Sequence, residues 1–241
     1  MDLSVVIPVY NEAENIEALF TETKQALTGR FAFEVVFVDD GSADATVARL
    51  VALRAANPEL RIVCHAANCG QSAAVLSGVR AAQAPWIATL DGDGQNDPAD
   101  IPSLFEHAKA GAGQRPPLAM IAGHRRQRRD TWRKRMASRL ANAVRARLLK
   151  DDTPDTGCGL KVFRRDVFLE LPAFDHMHRF LPALVRRAGY AVESVSVAHR
   201  PRRAGTSKYG VLDRLAVGIP DLMGVMWLRR RPLRPHVVEK P

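Results

Sequence analysis

The chain has little cysteine: Cys64, Cys69 and Cys158 are the three in 241 residues, and no C-x-x-C pair occurs. An odd, unpaired set argues against a disulfide framework and reads as three reduced, buried thiols in a reducing compartment. No apolar run reaches the roughly 20 residues that a spanning helix uses. Met1-Asp2-Leu3 leads straight into a strand-like run, without the layout of a signal peptide. No G-x-G-x-x-G follows that run and no G-x-x-x-x-G-K-[ST] occurs anywhere, so dinucleotide and P-loop chemistry have no support. There is no internal repeat and no linker-like stretch, which predicts one domain.

What is present is ordinary in bulk and unusual in charge. Apolar residues make 46% and charged residues 25%, the proportions of a globular protein, and the length suffices for one large α/β core. The net charge is +9, which calls for anionic partners: nucleic acid, a phosphorylated substrate or a membrane surface. The excess sits in three clusters, 124–135, 200–208 and 229–234.

Apolar runs and helical spacings alternate along the chain. LSVVIPV at 3–9 and FEVVFV at 33–38 have the composition of parallel strands buried on both faces. Further strands are predicted over 61–64, 86–90, 118–122, 160–163 and 190–198. Helices are predicted over 14–27, 46–56 (with Asp44 at the N-cap), 73–82, 100–110, 132–149, 165–171 and 176–188. The alternation argues a doubly wound α/β fold, a mostly parallel sheet with helices on both faces. Ligands of such sheets sit beyond the carboxyl ends of the strands. The polar clusters 10–12, 39–42, 68–71 and 91–95 all fall at such ends, which predicts a single site.

The densest cluster is TLDGDGQNDP at 89–98. Two acids with Gly92 and Gly94 cannot continue a buried strand, and glycine lets the backbone approach a ligand. Alternate residues of an extended segment share a face, so Asp91, Asp93 and Gln95 can converge on one point. Such an oxygen set suits a hard divalent cation, Mg²⁺ or Mn²⁺, which usually also holds substrate phosphates.

These motifs resemble those of the family 2 glycosyltransferases of the GT-A fold, and within them the polyprenyl-phosphate glycosyltransferases of the dolichol-phosphate mannose synthase group. VVIPVYNEAENI (5–16), VDDGSAD (38–44), N-x-G-Q (68–71) and DGDGQNDP (91–98) mark the superfamily. DTGCGLKVFRRDV (155–167), HRFLPAL (178–184) and HRPRRAGTSKYG (199–210) mark the polyprenyl-phosphate group. One departure is Asn96-Asp97-Pro98, where relatives often read Gln-Asp-Pro. The resemblance implies an inverting transferase that moves one sugar from a UDP- or GDP-linked donor to a polyprenyl phosphate. It implies nucleotide-sugar contacts from Pro8, Tyr10, Glu12, Asp39, Asp40, Gln71 and Asp91, with catalytic Asp93. It implies acceptor-phosphate contacts from Arg125, Arg128, Lys134, Ser138, Arg203 and Lys208; Arg200 and Arg202 are further candidates. Arg128, Lys134 and Ser138 are also read as catalytic, because an ionised phosphate acceptor requires holding more than deprotonating. His178 and His199 are read as structural more readily than catalytic.

A lipid acceptor implies a membrane. Residues 211–227 are too polar and too broken at Gly218-Ile219-Pro220 to span one, and they predict two short amphipathic helices on an anionic leaflet, ahead of Arg229-Arg230-Arg231. The domain reading is a catalytic unit over 1–210, interfacial helices over 211–230 and a disordered tail over 231–241. The expected location is the cytoplasmic membrane face, peripheral, with a small membrane-protein partner as a further expectation. A saccharide acceptor is the alternative within enzymes. A nucleic-acid binder ranks low: no recognised module is present, and the paired acids would repel a phosphate backbone.

Overall fold

The run Leu3–Val9 forms strand β1 and pairs on both edges, with β2 (Phe33–Asp39) and with β4 (Trp86–Thr89). Strands β3 (Leu60–Cys64), β5 (Leu118–Arg125), β6 (Lys161–Arg164) and β7 (Ala191–Val197) complete a seven-stranded sheet in the order β3-β2-β1-β4-β6-β5-β7. Every strand is parallel to its neighbours except β6, which is antiparallel to both β4 and β5. This computed structural model describes residues 1–125, 145, 147–149, 151, 153–201 and 211–231, with backbone alone over 211–217. The 132–149 helix expected from sequence therefore lies mostly outside the described residues, as does the expected tail from 232 onward.

Helices cover both faces. Strand side chains alternate across the sheet, so Leu3, Val5, Ile7 and Val9 enter one core with α1 (Ile16–Leu27), Leu50 of α2 (Thr46–Arg54) and α4 (Ile101–Gly111). Val6 enters the other core with α3 (Gln71–Ala81), α5 (Arg165–Leu169), α6 (Leu181–Arg187) and Val225 of α7 (Val211–Arg230). Pro8, unusual in a central strand, costs no ladder bond. The Val6 carbonyl accepts from Leu90 N, so the alternation turns the Pro8 nitrogen toward β4, past the point where β4 has ended.

Three expectations are corrected. Only Cys158 is buried; Cys64, at the end of edge strand β3, and Cys69, on a loop, are exposed, and all three are free thiols. The 176–188 segment is a 3₁₀ turn, Met177–Arg179, followed by α6 with Pro182 in its first turn, where the missing N–H has no partner to lose. Residues 211–230 form one helix rather than two, with Pro220 inside it. Packing outweighs the lost hydrogen bond: Val225 is buried in the second core and Leu222, Met226 and Leu228 pack against it. The apolar residues of α7 are consequently divided, and Ile219, Met223 and Trp227 face outward at 59%, 66% and 56% exposure.

Candidate active site

The strand order reverses between β1 and β4, and the crevice of a doubly wound sheet opens at such a point. Four loops meet there. Residues 10–15 leave β1 and are laced to the loop after β2: Asn11 N donates to Ser42 Oγ (2.8 Å), Ala43 N to Asn11 Oδ1 (2.8 Å) and Glu12 N to Thr46 Oγ1 (3.0 Å). Asp44 accepts from Thr46 N at 2.9 Å and so caps α2 from one residue further out than expected. Gly41, at φ +74°, lets the β2 loop pass within van der Waals contact of Ala67 and Asn68; a Cβ there would meet the Ala67 carbonyl carbon at 2.6 Å.

Asp39 and Asp40 divide their tasks. Asp40 is held by the loop before α3, accepting from Cys69 N and Gly70 N at 2.8 Å each and from His65 Nδ1 at 2.7 Å. Asp39, also buried, accepts from Ser42 N through Oδ2, while its Oδ1 has no hydrogen-bond partner. A buried carboxylate oxygen without a donor is costly in isolation. Asp39, rather than Asp40, therefore offers an open acceptor to a ligand.

At the end of β4, Asp91 accepts from Gln71 Nε2 at 2.9 Å, which joins the N-terminus of α3 to the acidic loop. Asp93 is buried and accepts from Gln95 N at 3.1 Å. Asn96, the departure from the usual motif, is buried and accepts from Asp91 N through Oδ1 at 3.2 Å. Arg200 braces the same loop from outside: its amide donates to the Gln95 carbonyl, and its guanidinium pairs with Glu22 (2.7 Å) and Asp97 (2.5 Å). Those pairings make Arg200, one of the candidates for the acceptor, a brace of this loop.

Because β6 runs antiparallel beside β4, the loop before it reaches the same end of the sheet, and Lys161 sits opposite Thr89. Lys161 is 4% exposed and its ammonium donates to the Cys158 carbonyl. Arg125, at the end of β5, gives Nε and one terminal nitrogen to Asp155, at 2.6 and 2.8 Å. Burial, then the charge of Asp93, holds the Asp91 carboxyl above its usual range, against the pull of Lys161, Arg125 and Gln71. Burial likewise pushes Lys161 down, opposed by Cys158, Asp91 and Asp155.

The glycosyl transferase family 2 model matches residues 4–171. The chain belongs to that family. Within it, the chain is 36% identical to a dodecaprenyl-phosphate galacturonate synthase of Rhizobium johnstonii, over 98% of this chain and 69% of that protein. It is 34% identical to an undecaprenyl-phosphate 4-deoxy-4-formamido-L-arabinose transferase of Edwardsiella ictaluri, over 96% and 69%. The glucosyl-3-phosphoglycerate synthase of Mycobacterium tuberculosis, crystallised with Mn²⁺, UDP and phosphoglyceric acid, superposes with TM-score 0.69 over 95% of this chain and 78% of its own, at 19% identity. That superposition bears out the GT-A fold.

In this glycosyltransferase the acidic loop fits a hard divalent cation. Asp91 and Asp93 bring hard oxygen donors together, and their mutual repulsion in a buried setting is what a cation relieves. The bare Cα of Gly159 makes room for Asp91. A Cβ there would stand 2.2 Å from Asp91 Oδ2, so Gly159→Ala must displace the carboxylate while leaving the strands in place. The expected result is a folded variant with cation-dependent turnover down by about 10²-fold, the effect of a displacement near 1 Å. Mn²⁺ titration of activity alongside circular dichroism checks it.

Two residues escaped the sequence reading. Lys161 fell within the strand predicted over 160–163 and was given no role. Ser72 lies 106 positions from its partner: Ser72 Oγ shares a hydrogen bond of 2.7 Å with His178 Nδ1 and accepts from His178 N at 3.2 Å. Burial, with Lys161, Arg179 and His176 nearby, pushes the His178 pKa down to about 3. The bond ties the imidazole of His178 to the start of α3. Arg128, Lys134, Ser138, Arg202, Arg203 and Lys208 lie outside the described residues.

Proposed function

We propose that this glycosyltransferase moves a single sugar from a nucleotide sugar to a polyprenyl phosphate, with inversion, at the cytoplasmic face of a membrane. The observation that carries this reading is the pair of relatives at 36% and 34% identity over nearly the whole chain, both named as polyprenyl-phosphate transferases. In the proposed step an acceptor phosphate oxygen bonds to the anomeric carbon. The bond from that carbon to the donor's phosphate oxygen breaks, and the nucleoside diphosphate leaves with the electron pair. No general base is required, since a phosphate monoester with its second pKa near 6 is largely ionised at neutral pH. This agrees with the weak basicity of His178, the half-buried histidine beside α3.

The proposed roles follow the loops. Asp39 Oδ1 accepts from the base or ribose, with Pro8, Tyr10 and Glu12 lining that side and Asp40 holding the loop that carries Gln71. Asp91, Asp93 and Gln95 hold Mg²⁺ or Mn²⁺, as the donor types favour and as solved neighbours bind. When bound, the ion offsets the charge that develops on the departing diphosphate. Arg128, Lys134, Ser138, Arg203 and Lys208 receive the acceptor phosphate, and Arg125, held by Asp155, adds positive charge beside Asp91. The outward stripe of Ile219, Met223 and Trp227, followed by Arg229–Arg231, suits an anionic bilayer surface.

The test is organic extraction after incubation with undecaprenyl phosphate, Mg²⁺ or Mn²⁺, and labelled UDP- or GDP-sugars. Label is expected in the lipid phase from one donor, and is expected to be lost in Asp93→Ala. Nucleotide-sugar binding without lipid labelling would overturn the acceptor assignment in favour of a saccharide.

A further inference from the structure

A second cluster of ligating atoms lies on the same rim, built from residues other than those of the acidic loop. Asp40 follows β2, His65 follows β3 and Cys69 precedes α3. One carboxylate oxygen, one imidazole nitrogen and the Cys69 sulfur all lie within 4.8 Å of one another. Nothing in the sugar-transfer step uses the imidazole or the thiol.

The geometry points to a zinc-class metal site built from Asp40, His65 and Cys69, with its fourth position open to water. Three features beyond proximity support it. First, the donor set of thiolate, imidazole and carboxylate selects a borderline-soft ion, whereas Asp91 and Asp93 offer hard oxygen alone. Second, the outer partners are already in place. A metal-bound histidine nearly always donates its other ring N–H to an oxygen, and Ser77 Oγ stands 2.9 Å from His65 Nε2. The Asp40 carboxylate is oriented by the Cys69 and Gly70 amides. Third, entry is open: Cys69 is exposed and its thiol makes only a weak bond to the Ala67 carbonyl, at 3.3 Å. Binding replaces the Cys69 thiol proton with the ion, and that proton passes to solvent; His65 stays neutral, exchanging its Nδ1 proton for one on Nε2 that donates to Ser77 Oγ. It fastens the 65–70 loop to β2, next to the open oxygen of Asp39.

The test uses the reduced, full-length protein in saturating Mg²⁺, titrated with Co²⁺ and then Zn²⁺, read by visible and thiolate charge-transfer absorbance and by melting temperature. One equivalent is expected, with a thiolate band and a raised melting temperature. Cys69→Ser should lose the band, Cys64→Ser should keep it, and Ser77→Ala should weaken binding about 10–100-fold. Asp93→Ala should keep the band, which separates this site from the acidic loop. An unchanged band in Cys69→Ser, displacement by excess Mg²⁺, or no thiolate band in the unaltered protein would overturn the assignment.

Discussion

Lys161→Met is expected to leave a folded protein whose divalent-cation affinity is lower by roughly 10²–10³-fold. Methionine keeps the length and apolar character of the lysine stem, so the loss is that of the charge. Lys161 is buried among Asp91, Asp155, Cys158 and Arg125, and it opposes the protonation that burial and Asp93 already favour at Asp91. Removing one member of a buried charge cluster costs about 3–5 kcal/mol. That cost falls on ionised Asp91: its carboxyl is held further above its usual range and the cation must compete with a proton for it, a loss partly offset because the ammonium no longer repels the ion; tenfold in affinity is about 1.4 kcal/mol. Lys161→Arg retains the charge and should recover a substantial part of the affinity. The measurement is Mn²⁺ titration of nucleotide binding and of turnover at pH 7 in all three proteins. Unchanged Mn²⁺ affinity in Lys161→Met would confine the lysine to holding the Cys158 carbonyl.

The same residue shows where the sequence stops being informative. The strands at 3–9 and 33–38 were legible because parallel strands buried on both faces must be apolar throughout, and no other element of that length needs to be. Asp91 and Asp93 were legible because two acids and two glycines cannot end a buried strand without a purpose. Lys161 was not, because its neighbours in the chain give it no distinction. Its burial comes from the antiparallel insertion of β6 between β4 and β5, with the β4 pairing reaching across more than seventy residues. Asp39 and Asp40 look equivalent in VDDGS. Only the fold of residues 65–70 onto the second acid leaves the first with an open oxygen. Pro220 was over-read in the opposite direction: it predicted a break, and tertiary packing of α7 carried the helix through it.

The Ser72–His178 link makes a prediction about acid. An unfolded histidine takes up a proton as pH falls through about 6.5; folded His178 does so only near 3. Between those values the unfolded chain binds the extra proton, so the stability contributed by His178 is complete above about 6.5 and is lost as pH falls toward 3. The slope is about 1.4 kcal/mol per pH unit, roughly 4–5 kcal/mol over the whole window. That is a large part of the 5–15 kcal/mol typical of a domain. Glu34, where hydrogen bonds from Arg61, Ser4 and Gln83 outweigh burial, sits below its ordinary value and acts only in stronger acid. Asp91, held high, acts with the opposite sign. His178→Gln removes the titration while its amide can still meet Ser72. Its stability at pH 7 should be lower by about 1–3 kcal/mol, the cost of disturbing a buried hydrogen bond. Between pH 6.5 and 4.5 its stability should change less with pH than that of the unaltered protein, by about 1.4 kcal/mol per unit. Urea unfolding of both proteins at half-unit steps reads the two slopes directly. Parallel slopes would mean that folded His178 titrates near its ordinary value, and that the imidazole is free to serve as a base after all.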